Sequence, residues 1–128
     1  MKLDYIPNIN TYKDDLVRLY AFNQAEAKLF RDKIHQVLVL QKNNLALESL
    51  DFIESRNCKL MLRLADSDEG ITSEDATNFF CDLTLEGYIN MLELLKPFCS
   101  KETKGHQYLY SDIDSPTDFL FSPAGTWE

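Results

Sequence analysis

The stretch CKLMLRLA at residues 58–65 is the clearest structural signal in this chain of 128 residues. Its apolar side chains recur at every second position, from Cys58 to Leu64. Side chains of a β-strand point alternately to opposite faces, so this pattern predicts a strand with one buried face. Shorter or less regular versions of the pattern predict three further strands, at 45–52, 78–85 and 107–113.

A long helix is predicted on the N-terminal side of these strands, over residues 12–42. Alternatively, this helix ends near His35 and residues 36–41 form a strand. The apolar face of the helix is formed by residues spaced three or four apart, which are Leu16, Tyr20, Asn23, Ala27, Phe30 and Ile34. Thr11 and Asp14, just before this face, resemble a helix-capping pair. The same spacing also fits a self-association seam, in which Asn23 would set the register between two copies of the chain.

A second helix is predicted over residues 85–99, because Thr84 is a favourable N-cap residue and Glu86 suits the positive end of the helix dipole. The length of the chain suits one domain over 1–128. The predicted fold is therefore α+β, with an antiparallel sheet of about four strands, a long N-terminal helix and a second helix before the last strand.

The charge of the chain is strongly asymmetric. The net charge is −8, yet residues 1–64 carry ten basic and eight acidic side chains, while residues 65–128 carry three and thirteen. An acidic half of this kind repels the phosphates of nucleic acids and an anionic membrane surface, so we expect neither as a partner. A basic protein is the partner that this charge favours, although acidic residues also serve solubility alone.

The residues expected to bind a basic partner lie in and after a polar turn: Asp66, Asp68, Glu69, Glu74 and Asp75. Trp127 joins them from the apolar C-terminal tail, because tryptophan often anchors protein interfaces. The tail, with Phe119, Leu120 and Phe121, can equally add a strand to the sheet or cover it. An EF-hand interpretation of the turn fails, since Gly70 comes one residue early and position 12 of the loop would be Thr77.

Aromatic residues suggest an alternative site, a pocket between helix 85–99 and the sheet. Its candidate lining residues are Phe79, Tyr88, Tyr108 and Tyr110. The sequence contains no phosphate-binding glycine loop and no hydrolase or metalloprotease motif. His35 and His106 lack a partner at zinc-ligand spacing, so neither a metal nor a cofactor is expected.

These observations favour a small cytoplasmic protein-interaction domain, possessing free thiols and no evident catalytic residues. Bacterial immunity proteins share this size and acidity, so an inhibitor that binds a basic protein is the leading hypothesis. A small-molecule-binding or enzymatic α+β domain is the second, and an oligomer assembled through helix 12–42 is the third.

Overall fold

The computed structural model describes residues 1–7, 15–111, 113 and 115–124, which form an α+β fold. This part of the chain contains nine strands: β1 Lys2–Ile6, β2 Asp15–Tyr20, β3 Leu45–Ala46, β4 Glu54–Ser55, β5 Lys59–Leu64, β6 Gly70–Ser73, β7 Asn78–Leu83, β8 Gln107–Tyr108 and β9 Thr117–Ser122. The α-helices are α1 Gln24–Lys33 and α2 Leu85–Ser100. Ile34–Leu40 continues α1 as a π-helical segment, and Leu47–Ser49 is a short 3₁₀ turn.

The strands form two mixed sheets, whereas the sequence predicts a single antiparallel one. The first sheet has the order β4–β1–β2–β9–β8, with β2 parallel to β9. The second has the order β3–β5–β7–β6, with β5 parallel to β7. β6 pairs with the side of β7 that faces away from β5. β7 therefore lies directly beside β5 and runs parallel to it. Alternation along a strand reports which face is buried and not which strand lies beside it, so the pairing was predicted wrongly.

The predicted helix over 12–42 is wrong in its first part, since Asp15–Tyr20 is a strand. β2 lies between β1 and β9, and Leu16, Val17 and Leu19 are all buried. A strand buried on both faces lacks the alternation of a half-exposed one, and its apolar spacing here coincides with that of a helix.

The second part of that prediction is confirmed, because helical structure runs from Gln24 to Leu40. Asn23 starts it with a capping box: its side chain accepts from the Glu26 backbone at 2.9 Å, and the Glu26 carboxylate accepts from the Asn23 backbone at 3.2 Å. Asn23 is thus the N-cap of α1. Ala27 and Phe30 are buried in the core of the chain itself.

The other predicted elements vary in how far they agree with the structure. The strands over 58–65 and 78–85 are confirmed as β5 and β7, and the second helix as α2, capped by Thr84. The predicted strands over 45–52 and 107–113 are each only two residues long, as β3 and β8. The sequence predicts no strand at the position of β6, Gly70–Ser73.

One buried apolar cluster joins both sheets and both helices. Phe121, in the tail, stacks on Phe22 with ring centroids 3.9 Å apart and meets the edge of Phe98 at 5.1 Å. Phe119 and Leu120 are also fully buried. The expectation that the tail adds a strand is confirmed, and β9 pairs with both β2 and β8.

Candidate functional site

The predicted acidic residues lie at the two ends of the β6–β7 hairpin. Asp66, Asp68 and Glu69 belong to the turn before β6, here called the entry turn (residues 66–69). Glu74 and Asp75 belong to the turn between β6 and β7, here called the hairpin turn (residues 74–77). Since β6 has four residues and a strand rises roughly 3.3 Å per residue, the two turns are about 15 Å apart. The acidic candidates therefore form two groups rather than one.

Asp68 in the entry turn has a structural role. Its Oδ1 atom accepts hydrogen bonds from the backbone N–H of Thr84 at 2.8 Å and from the Thr84 hydroxyl at 2.9 Å. Thr84 Oγ1 in turn accepts from the Gly87 backbone at 3.1 Å, which caps α2. Asp68 thus connects the entry turn to the start of α2. Asp68 and Glu86, in the first turn of α2, are both exposed.

Asp75 organises the hairpin turn. Its Oδ1 atom accepts hydrogen bonds from the backbone N–H groups of Thr77 at 2.8 Å and Asn78 at 2.9 Å. Its Oδ2 atom accepts from the side-chain amide of Asn78 at 3.0 Å. These donors, the Thr77 backbone first, lower the pKa of Asp75 to about 2. Because all of them are neutral, they keep the carboxylate charged without cancelling its charge.

The remaining candidates, Asp66, Glu69 and Glu74, are exposed. Glu69 accepts a hydrogen bond from the Ser67 hydroxyl at 2.7 Å. Within the described ranges, none of the five acidic candidates forms an ion pair with lysine or arginine.

Other acidic side chains do form ion pairs. Asp82 on β7 receives two hydrogen bonds from Arg63 on β5, at 2.6 and 2.7 Å, and the guanidinium lies 3.9 Å from the ring centroid of Phe80. On the first sheet, Asp4 binds Arg18 in the same two-bond manner. The chain therefore pairs Asp4 and Asp82 with arginines, whereas no lysine or arginine of the described ranges pairs with an acidic side chain of the entry or hairpin turn.

The four aromatic pocket candidates do not share one site. Tyr88 is fully buried, and its hydroxyl lies 2.8 Å from the carbonyl oxygen of Arg63 and 2.6 Å from that of Cys81. Tyr108 is partly exposed on the edge strand β8. Phe79 and Tyr110 are both buried but line different clefts. Each aromatic side chain thus serves a separate part of the structure.

Tyr110 connects the two sheets. Its hydroxyl accepts a hydrogen bond from the Ile71 backbone of β6 at 3.0 Å and donates one to the carbonyl of Thr117 on β9. Burial raises the pKa of Tyr110 to about 12, so the hydroxyl keeps the proton that it donates. The carbonyl of Ile71 also accepts from the Ser115 hydroxyl at 3.0 Å. The N–H and the carbonyl of Ile71 are thereby both satisfied within the chain.

Burial disfavours the charged form of all three thiols. Burial raises the pKa of Cys58 and of Cys81 to about 12, and burial also raises that of Cys99. Since the thiolate is the nucleophile, a raised pKa lowers the fraction of each thiol that is in the nucleophilic form. In the described ranges no three His, Cys, Asp or Glu side chains are grouped closely enough to hold a metal ion, and no helix is both long and apolar enough to cross a membrane.

The largest of three described clefts lies between the sheets, beside the hairpin turn. This inter-sheet cleft has a volume of about 390 Å³ and is lined mainly by residues of β1, β2, β6 and the hairpin turn. It brings together one acidic candidate, Asp75, and one aromatic candidate, Phe79. Sequence reasoning missed two further lining residues, Tyr5 and Asp15, because Asp15 was assigned to a helix.

Two smaller clefts lie elsewhere. One, of about 280 Å³, lies beside the first turns of α2 and is lined by Asp68, Gly87, Asn90 and Tyr110 among others. The other, of about 330 Å³, is lined by residues 55–59 with Thr77 and Asn78. Trp127, the last candidate for partner binding, lies outside the described residues.

The comparisons with known proteins identify no relative. No protein-family model matches the chain, and neither a curated protein nor a solved structure is significantly similar to it. A function must therefore be inferred from the chemistry of the described surfaces.

Proposed function

We propose that this chain is a small protein-interaction domain, of the inhibitor type, that binds a basic protein through the acidic turns of its β6–β7 hairpin. The observation that supports the proposal is the difference between two groups of acidic residues. Asp4 and Asp82 on the sheets are held by arginines, whereas the entry and hairpin turns carry five acidic side chains that no lysine or arginine of the described ranges neutralises.

The positions of these side chains also support binding. Asp68 and Asp75 are fixed by hydrogen bonds to backbone groups, so both turns are ordered before a partner arrives. Preorganised charges lose little conformational entropy on binding, and like-signed charges accelerate the approach of an oppositely charged protein. Asp66, Glu69 and Glu74 stay exposed and available to the lysines and arginines of such a partner.

The small-molecule alternative has weaker support. The cleft beside α2 lies where this alternative places its pocket, but of the four predicted lining residues only Tyr110 borders it. Tyr88 instead fills the space between α2 and the second sheet and is fully buried. We therefore favour the interaction domain.

The proposal is tested by affinity capture with three forms of the immobilised protein. The first is the natural chain, the second carries Asp66→Lys and Glu69→Lys, and the third carries Glu48→Lys and Asp51→Lys. Asp66 and Glu69 have no structural hydrogen bond to the backbone through their side chains, so their reversal should preserve the fold. Glu48 and Asp51 are exposed and follow β3 toward the opposite end of the second sheet, so they control for the change in net charge.

We expect the natural chain and the Glu48/Asp51 variant to capture the same basic protein, and the Asp66/Glu69 variant to lose it. With the captured protein purified, the association rate should fall steeply as salt is added, because steering by charge is screened. The proposal is wrong if no basic protein is captured, or if all three forms capture it equally.

A further inference from the structure

The cleft of about 280 Å³ beside the first turns of α2, here called the α2 cleft, combines one charge with apolar surface. Its apolar lining comes from three side chains, which are Leu83, Tyr110 and Ile113. Its polar lining residues are Asp68, Asn90 and Ser111, and all three are exposed. Among the described residues that line it, Asp68 is the one that carries a charge. The α2 cleft is therefore an apolar recess with a single carboxylate.

The carboxylate of Asp68 is held in place and keeps one oxygen atom available. Its Oδ1 atom accepts the two hydrogen bonds from Thr84, at 2.8 and 2.9 Å, and both donors are neutral. A Cβ atom at Gly87 would lie 2.7 Å from this Oδ1 atom, so the glycine permits the close approach. The Oδ2 atom accepts no hydrogen bond from the described part of the chain. Asp68 thus offers a positioned oxygen to a ligand.

The charges around Asp68 keep the α2 cleft negative. Glu69 follows it in the entry turn, Glu86 lies in the first turn of α2, and both are exposed. The N-terminus of α2 offsets only about half of one negative charge. Arg63 lies on the strand beside β7, but Asp82 holds it with two hydrogen bonds. In the described ranges no lysine or arginine pairs with the acidic residues of the entry turn or with Glu86. A cation that enters the cleft therefore meets a net negative charge.

The chemistry of the α2 cleft suits the side chain of a lysine. The methylene groups of a lysine can contact the apolar lining while its ammonium group stays at the polar rim. The ammonium has three donors, and Asp68, Asn90 and Ser111 each carry an oxygen that can accept. A guanidinium is bound best by both oxygens of a carboxylate, and Asp68 has one of them occupied by Thr84. A volume of about 280 Å³ is just below the range of small-molecule pockets, which suits a single side chain.

We propose that the α2 cleft is the specificity pocket of the interaction surface and receives one lysine side chain of the basic partner. This inference rests on the proposed function, because the cleft borders the entry turn that the proposed function assigns to partner binding. The exposed acidic side chains of the turns attract the partner over a distance, and the cleft sets the register in which it docks.

The experiment uses small probes, so that its outcome does not depend on the partner. The protein labelled with nitrogen-15 is titrated with Nα-acetyl-lysine amide, and its backbone amide resonances are followed by NMR. Nα,Nε-diacetyl-lysine amide keeps the aliphatic stem and lacks the charge, and Nα-acetyl-arginine amide keeps the charge on a guanidinium. We expect saturable shifts centred on Gly87, Asn90 and Ser111 with the lysine compound. The arginine compound should bind more weakly, and the diacetyl compound should cause no comparable shifts.

Two variants locate the binding. Asp68→Asn removes the charge and keeps an oxygen that can accept from Thr84, and it should weaken binding of the lysine compound by about threefold to fivefold. Asp51→Asn removes the same charge from an exposed turn outside the cleft, so its affinity should equal that of the natural chain. Asn90→Lys adds a positive charge at an exposed position of the cleft and should weaken binding at least as much as Asp68→Asn does.

The control for Asn90→Lys is Ala25→Lys, which adds the same charge at an exposed position of α1. The neighbouring Gln24 donates to the carbonyl of Cys99, so this control lies near the opposite end of α2 and should bind the probe normally. The dispersion of the spectrum shows whether each variant is folded. If Asp68→Asn does not fold, the comparison of Asn90→Lys with Ala25→Lys decides the question.

The inference is overturned if the diacetyl or the arginine compound binds as tightly as the lysine compound, or if the shifts centre on the hairpin turn. It is also overturned if either control weakens binding as much as its matched variant does. Such a result leaves the affinity-capture experiment unaffected, because that experiment changes Asp66 and Glu69. Conversely, failure to capture a basic protein while the probe binds in the α2 cleft would refute the proposed function and leave a lysine-binding cleft.

Discussion

The hydroxyl of Tyr110 accepts a hydrogen bond from the Ile71 backbone and donates one to the carbonyl of Thr117, so that one side chain joins the edge of the second sheet to β9 of the first. Both hydrogen bonds are buried. The connection also places the hairpin turn beside β2 and so forms the inter-sheet cleft.

Replacement of Tyr110 by phenylalanine should destabilise the protein. The change removes only the hydroxyl and leaves the Ile71 N–H buried without its partner, which costs about 1–3 kcal/mol. The Thr117 carbonyl loses one donor and keeps the Ser115 hydroxyl, at 3.2 Å. Urea denaturation measures the free energy of unfolding. Tyr108→Phe, on the partly exposed edge strand, is the control and should change it by much less. Equal effects of the two changes would show that the connection contributes no stability.

Replacement of Gly70 by alanine should also be destabilising, for a backbone reason. Gly70 has φ of 78°, a left-handed conformation, and a Cβ atom there would lie 3.0 Å from the Tyr110 ring. The conformation alone costs a residue with a side chain about 1–2 kcal/mol, and the contact adds to it. Gly105→Ala is the matched control, since a Cβ atom there meets nothing within 4 Å. A Gly70 variant as stable as the Gly105 variant in urea would contradict the expectation.

Loss of the capping box at the start of α1 should weaken the helix. Asn23→Ala removes the acceptor for the Glu26 backbone, and such changes cost about 1 kcal/mol. Thermal unfolding followed by circular dichroism should show a lower midpoint for this variant. Asn44→Ala, in an exposed segment after the π-helical segment, should leave the midpoint near its natural value. An unchanged midpoint in Asn23→Ala would mean that tertiary packing alone defines where α1 begins.

The stability of the protein should depend on the ionisation of Asp75 at low pH. Its folded-state pKa of about 2 is below the ordinary 3.8, because the backbone N–H of Thr77 and the other neutral donors favour the charged form. The stabilisation is therefore complete above about pH 4 and is lost as the pH falls toward 2. The difference in urea midpoint between the natural chain and Asp75→Ala should shrink over this interval. A difference that stays constant from pH 5 to about 2 would refute the assignment.

The elements that the sequence predicts well are those whose faces differ in burial. β5 and β7 are half-exposed and alternate, so Leu60, Leu62 and Cys81 identified them. β2 was misassigned because Leu16 and Val17 are buried on opposite faces of a central strand. The capping box of α1 is present in the sequence as Asn23 followed three residues later by Glu26, but it was missed because Asn23 was assigned to the apolar face of a longer helix.

The candidate site was less predictable than the fold. The acidic residues could be read from the sequence, but their division into two turns depends on β6, whose only buried apolar side chain is Ile71. The inter-sheet cleft depends on the approach of β1 and β2 to the hairpin turn. Tyr5 and Phe79 are far apart in the chain, so no local sequence pattern predicts the contact between them. Such long-range contacts can be predicted only once the order and pairing of the strands are known.

The parallel pairing of β2 with β9 also has a consequence for biosynthesis. Asp15 lies opposite Thr117 in that register, so β2 can pair with β9 only after about a hundred further residues have been synthesised. Until β9 is made, Val17 and Leu19 lack their neighbours Phe119 and Phe121. A polypeptide that ends before residue 117 would therefore expose the unpaired edge of β2 and apolar side chains beside it. We therefore expect the first sheet to assemble late in folding, and a fragment that ends before residue 117 to aggregate.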